Sequence, residues 1–271
     1  MAVTGASGFL GGALVEAFAS EGAQVVALAR RDTHAPRRGV EFRAYDLDAA
    51  VPPLEGIGTL VHAAYVPDDF DRNVRGSGAL FERCRERGIA VAFISSIRAD
   101  SRGASEYARQ KAAVEELLGD DGVSLRCGLI AGAGGLFARL HAAAERPVVP
   151  LVDGGNQPVQ VVGANDVYNA IRIALAAGLR GHHAVVAEPA LTLREVFELA
   201  GRRGRLFVPV PSTLVSLALR VARTLHVTLP VSEENLTGLR GSRYVPPSRA
   251  LVAAGWRPRD ARETVRAASH A

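Results

Sequence analysis

Lysine is almost missing from this 271-residue chain: of 32 basic side chains one is a lysine, Lys111, leaving 31 arginines. Arginine replaces lysine at most solvated positions, but not where a compact ammonium is needed, so the one survivor draws attention. Cysteine is scarce as well. Cys84 and Cys127 form neither a CxxC pair nor a disulfide framework, which points to a reducing setting and a cytoplasmic protein. No apolar run reaches the ~20 residues of a membrane span, and the most apolar late stretch, Leu214 to Leu225, carries Arg220 and Arg223. No basic segment followed by a long apolar one opens the chain, so no secretion signal is expected. The histidines at 34, 62, 141, 182, 183, 226 and 270 lack HxxxH or Cys/His spacing, so no metal is expected. Nor is there a GxSxG nucleophile elbow.

What is present is globular. Apolar residues make up 48% and charged residues 22%, which excludes a largely disordered or fibrous chain. The net charge of +4 comes from scattered arginines, with only a small cluster at Arg202, Arg203 and Arg205. Solvated helix faces account for that pattern, and neither nucleic acid nor membrane is expected as a partner.

The first half alternates β-rich runs with helical patterns, the mark of a parallel sheet covered by helices. Strands are expected at 2–4, 24–29, 41–45, 59–63, 90–95 and 124–129. Leu10, Leu14 and Phe18 fall at helical spacing before Gly22; further helices are expected at 73–87 and, capped by Ser105, at 105–118. After about Ile130 the rhythm breaks into glycine- and proline-punctuated segments, with helices at 166–176, 192–201 and 212–225. His182 and His183 read as an exposed turn after Gly181. The expected fold is therefore α/β: a Rossmann-type doubly wound parallel sheet with a smaller C-terminal substrate-binding lobe. The nucleotide-binding domain would be 1–131, with a segment near 158–187 returning to it, and the lobe 132–157 and 188–271.

Thr4-Gly5-Ala6-Ser7-Gly8-Phe9-Leu10-Gly11 joins a strand to a helix. Gly5 permits the tight turn, Gly8 lets backbone approach a pyrophosphate, and Gly11 lets helix and strand pack closely. Phosphates then lie at the helix N-terminus, beside Ser7, Phe9 and Leu10, where free N–H groups and the dipole favour anions. An NAD site places a carboxylate at the end of the second strand; here that end reads Ala29-Arg30-Arg31. Arginine pairs instead with a 2′-phosphate, so NADP(H) is expected on Arg30 and Arg31, with NAD(H) as the alternative.

Tyr107 and Lys111 stand at i and i+4 on one helical face, about 6 Å apart at Cβ. Upstream, Ser95 and Ser96 end a strand at the sheet edge where open α/β sheets bind ligands. Bringing a phenol from ~10 to neutral pH requires about 4 kcal/mol, which a unit charge ~4 Å away supplies at an effective dielectric of ~20. Lys111 suits that task.

Together these motifs resemble an extended short-chain dehydrogenase/reductase of the NAD-dependent epimerase/dehydratase type, over nearly the whole chain. Thr4 to Gly11 is similar to the TGxxGxxG loop, and Asp46-Leu47 to the pair that touches adenine. Val61-His62-Ala63-Ala64 resembles the fourth-strand cofactor motif. Asn73 is similar to the asparagine that orders a proton relay behind the lysine through a water, and Ser96, Tyr107 and Lys111 to the catalytic triad. Leu125 to Ile130 and Val159 to Val167 resemble later family segments, and Leu239 to Ser242 with Gly255 to Pro258 is similar to the tail of nucleotide-sugar enzymes.

The chain departs from the family pattern at Ala29 (an aspartate there), Cys127 (a proline), Ala131 (a tyrosine) and Asp100. Ser96 and Tyr107 are 11 positions apart, about half the usual loop, which implies a more open pocket. The resemblance implies hydride transfer between NADP(H) and a keto or hydroxyl group of a small molecule, a nucleotide sugar or similar carbonyl compound, in a protein expected to form a homodimer. An epimerase or dehydratase holding NAD(P) tightly, and a non-catalytic NADP-binding regulator, remain open.

Overall fold

A computed structural model describes residues 1–32, 38–202, 204–216 and 243–270. The expected helix 212–225 is described only to Ser216, and the Leu239 to Ser242 motif lies outside the described residues.

The chain runs β1 (Ala2–Thr4), α1 (Phe9–Ser20), β2 (Val25–Ala29), β3 (Val40–Ala44), β4 (Thr59–His62), α2 (Phe70–Glu86), β5 (Ala90–Ser96), α3 (Glu106–Leu118) and β6 (Gly122–Cys127). There follow β7 (Leu129–Ala131), α4 (Gly135–Ala144), β8 (Val148–Val152), β9 (Pro158–Val159), β10 (Val161–Gly163), α5 (Ala164–Ala176) and β11 (Gly181–Val185). The described remainder holds β12 (Leu191–Thr192), α6 (Leu193–Ala200), β13 (Leu206–Val210), α7 (Arg249–Ala253) and α8 (Ala261–Ser269).

Seven strands form one parallel sheet in the order β11-β6-β5-β4-β1-β2-β3. The order reverses at β1, which pairs with β2 on one side and β4 on the other. That reversal opens a crevice at the carboxyl ends of the strands. Alternate strand residues face opposite sides. Val3, Ala27, Val61 and Ala92 pack against α1 and α5, while Val26, Leu28, Leu60 and Phe93 pack against α2 and α3. Trp256, from the tail, is buried in the first cluster, and its indole N–H donates to the Asp166 carbonyl. A third cluster joins Phe137, Leu151, Val196, Phe197 and Val265.

One expectation is corrected. His182 and His183 lie within β11, which extends the sheet beside β6. His183 is buried, bonded to the Ser248 hydroxyl and the Arg180 carbonyl.

Candidate active site

At the crevice β1 ends on Thr4 and the chain turns at Gly5, whose φ of 67° is a left-handed value that glycine adopts without strain. A Cβ on Gly11 would lie 2.1 Å from the Gly5 carbonyl oxygen, so helix and turn are in backbone contact there. No side chain caps α1 and no acidic residue occupies its first turn. Its leading N–H groups and dipole are therefore available to an anion, as a pyrophosphate requires. Ser7 and Gly8 are exposed at this point, and Leu10 is half-buried. The Phe9 ring rests on backbone: a Cβ on Gly132 or Gly134 would collide with it.

Arg30 and Arg31 follow β2 and are exposed. Arg30 Nε lies 3.9 Å from one Asp46 carboxylate oxygen, and Arg72 donates to the other. The Arg72 hydrogen bond holds the Asp46 carboxyl below its usual range, with Arg30 adding to the effect. Leu47 is buried, packed against Gly76 of α2.

Ser105, two residues before Tyr107, caps α3 by accepting from the Ala108 N–H. Lys111 follows one turn on, 7% exposed, its Nζ donating to the Ile94 carbonyl at 2.9 Å. That Nζ lies 5.8 Å from the Tyr107 ring centre, 5.3 Å from that of Tyr65 and 4.8 Å from that of Phe93. Ser96, the last residue of β5, hydrogen-bonds the Tyr107 phenol. Ser96, Tyr107 and Lys111 thus come together.

Their electrostatics differ from the sequence expectation. Burial raises the Tyr107 phenol above its ordinary range, and the opposing influences come from the Ser96 hydrogen bond and from Arg98, not from Lys111. Burial likewise lowers Lys111 to about 8, partly countered by Cys127 and Glu115. Burial drives both groups toward their neutral forms. Glu115, one helical turn beyond Lys111, is itself buried and accepts a two-pronged bond from Arg126 at 2.9 and 2.6 Å.

Asn73 is buried and bonds backbone groups of the loop before α2. Its carbonyl accepts from the Val66 N–H, and its amide donates to the Val66 and Asp69 carbonyls. Gln110 of α3 also donates to Asp69. These bonds strap the 65–69 loop, which carries Tyr65 edge-on to Tyr107 at 5.5 Å between ring centres. Sequence reasoning passed over Tyr65, Arg98 and Glu115. Tyr65 directly follows the Ala63-Ala64 motif and Arg98 lies two residues past Ser96, so proximity to named motifs was the available signal. Cys127 enters the sequence reading as a scarce cysteine and as a departure from the family pattern, not as a site residue. It stands opposite Ser96 in the β5–β6 register, and burial pushes its thiol up to about 12.

Ala63 and Ala64 lie against the glycine turn: a Cβ on Gly5 would sit 2.8 Å from the Ala63 carbonyl oxygen. Both their N–H groups donate to the Thr4 hydroxyl oxygen at 3.1 Å. Among the described residues, no helix is long and apolar enough to cross a membrane.

The model of the NAD dependent epimerase/dehydratase family matches residues 1–187. An uncharacterised Mycobacterium tuberculosis protein is 30% identical over 227 residues, 79% of this chain but 24% of that protein. A ceramide reductase from Caulobacter vibrioides is 31% identical over 172 residues, 56% of this chain and 53% of that enzyme. The chain thus spans well under two thirds of the length of these relatives. Among solved structures, Thermus thermophilus UDP-glucose 4-epimerase with NAD is similar at TM-score 0.71 and 24% identity, covering 99% of this chain and 97% of that one. Bacillus anthracis dTDP-glucose 4,6-dehydratase with NAD is similar at TM-score 0.73 and 15% identity, covering 99% and 94%. The seven-stranded sheet is that of the extended short-chain dehydrogenase/reductases, and the chain belongs to the NAD-dependent epimerase/dehydratase family.

Proposed function

We propose that this protein is an NADP(H)-dependent oxidoreductase interconverting a ketone and a secondary alcohol. The observation that carries the proposal is the convergence of Ser96, Tyr107 and Lys111 at the same carboxyl edge of the sheet as the uncapped N-terminus of α1. A nicotinamide cofactor supplies the hydride when bound. Gly5, Ser7, Gly8, Phe9, Leu10 and Gly11 would cradle its pyrophosphate, with Asp46, Leu47, Ala63 and Ala64 along its adenosine and ribose. Arg30 and Arg31, with no carboxylate at the end of β2, favour a 2′-phosphate.

In the reductive direction Ser96 holds the carbonyl oxygen and Tyr107 protonates it as negative charge develops, general-acid chemistry placed by geometry. Lys111 faces the phenol and, with its carbonyl anchor on Ile94, binds the nicotinamide ribose. Asn73 steadies the loop that bears Tyr65, and a water link from it to Lys111 belongs to the same proposal. Residues 132–157 and 188–271 would supply the substrate lobe.

The ceramide reductase relative favours net reduction. The epimerase and dehydratase neighbours favour a nucleotide sugar, processed with a recycled cofactor. Stoichiometric NADPH consumption would mark a reductase, whereas cofactor that copurifies and survives dialysis would mark an epimerase. Tyr107→Phe is expected to lower turnover by about 10²- to 10⁴-fold while leaving cofactor affinity nearly intact. Unchanged turnover with the substrate found by screening would reject the assignment.

A further inference from the structure

His62 takes no part in the chemistry proposed above, yet it is fully buried, and its surroundings admit one protonation state. The accounting starts at Thr4. Its hydroxyl oxygen already accepts two backbone N–H groups, those of Ala63 and Ala64, and a hydroxyl has two lone pairs and one hydrogen. The hydrogen therefore goes to the third neighbour, His62 Nδ1, at 2.8 Å. Nδ1 is thus an acceptor and the ring proton lies on Nε2, which donates to the Ser77 hydroxyl of α2 at 2.9 Å. A second ring proton on Nδ1 would face an oxygen with no lone pair left for it.

Everything packed around the ring agrees. Phe93 of β5 stacks on it at 5.7 Å, Phe81 of α2 meets it edge-on at 5.3 Å, and the nearby charge is the Lys111 ammonium of α3. Burial, reinforced by that ammonium, pushes the imidazole down to about 3.

We infer that His62 is a positioning residue of the cofactor crevice: fixed as the Nε2–H tautomer, it orients the Thr4 hydroxyl and so holds the Ala63–Ala64 backbone against the glycine turn. The bonds tie together α2, β4 and β1. They end on the two residues whose backbone lies against Gly5, the opposite wall of the crevice. This role rests on the reading that a dinucleotide occupies the crevice.

Nitrogen-15 NMR of histidine-labelled wild type, with and without NADPH, tests the tautomer directly. The His62 signals are expected to report a protonated Nε2 and an acceptor Nδ1, unchanged from about pH 5 to about pH 9. Dissociation constants for NADPH and NADH test the role. His62→Asn keeps an acceptor at the Nδ1 position and is expected to bind within about threefold of wild type. His62→Leu removes the acceptor, and His62→Gln carries its amide past Thr4 toward Ser77. Each is expected to bind about tenfold more weakly, with the pH profile of kcat unmoved; the Gln variant decides the question if the Leu variant does not fold. An Nδ1–H tautomer, a His62 titration between about pH 5 and 8, or wild-type affinity in the Gln variant overturns the inference. Wild type that binds no dinucleotide overturns the proposed function as well; wild-type affinity in the Gln variant overturns only the role of His62.

Discussion

Two sets of parallel strands in this protein meet different surroundings. In the seven-stranded sheet, β1 and β2 are buried along their whole length, with helices over both faces. In the two-stranded pair of β8 and β13, Val149 and Leu151 are buried, while Val148, Leu206 and Val208 are 49%, 62% and 37% exposed. Parallel strands are ordinarily covered on both faces. The first set can therefore hold a site in place, because every wall has a packed layer behind it. The second has one face in the core and one in contact with solvent.

Gly11→Ala tests the tight region hardest. Its new Cβ would stand 2.1 Å from the Gly5 carbonyl oxygen, backbone that can yield only by separating α1 from its turn. Overpacking of this kind costs about 3 kcal/mol, a drop in Tm of roughly 10 °C for a chain of this size. Loss of dinucleotide binding should accompany it in calorimetry, and a variant that binds normally would show that the turn tolerates displacement.

Arg30 belongs to the same end of the sheet but stands on its rim. Arg30→Ser is expected to weaken NADPH by about tenfold or more, as a charge-assisted bond to phosphate is lost, while NADH affinity stays near its original value. Equal losses for both cofactors would mean that Arg30 acts through its ion pair with Asp46.

The buried lysine gives a pH-dependent test. Lys111 is lowered to about 8 by burial, so above that pH the free enzyme loses the ammonium that the proposed site needs. Because kcat/KM reports free-enzyme ionisations, its value for the cofactor should fall about tenfold from pH 7 to pH 9. Stability has the opposite slope. Between about 8 and the ordinary lysine value near 10.4 the unfolded chain binds the extra proton, so folding becomes more favourable as pH rises through that window. Lys111→Met should abolish both slopes.

The same contrast decides what could be read from sequence. Strands buried on both faces are continuous apolar runs, and those of the first half stand where the runs are, within one or two residues. Ser105 announced α3, and with it the placement of Tyr107 and Lys111. The start of α2 was missed by three residues because the cap is Asp69, which accepts from the Arg72 N–H ahead of the first apolar repeat. β11 was missed because an edge strand beginning Gly-His-His carries no apolar run; pairing with β6 makes it a strand. α4 lay hidden behind Gly132, Gly134 and Gly135, which read as loop. Tyr65 and Arg98 lie on loops, whose paths no periodicity describes. The buried roles of His62 and Glu115 follow from partners 15 to 58 residues away for the one and 11 for the other.

The smallest expected effect lies on the exposed side of the two-stranded pair. Leu206→Ser and Val208→Thr remove apolar surface already in contact with water, so each should change stability by less than about 0.5 kcal/mol. Leu151→Ser, on the buried face of the same pair, introduces a hydroxyl and a cavity into the cluster with Phe137 and Phe197 and should cost about 3 kcal/mol. Urea denaturation of the three variants compares the faces directly. A cost at Leu206 and Val208 approaching that at Leu151 would show that the outer face is covered in solution, and the contrast between the two sets of strands would reduce to what covers each.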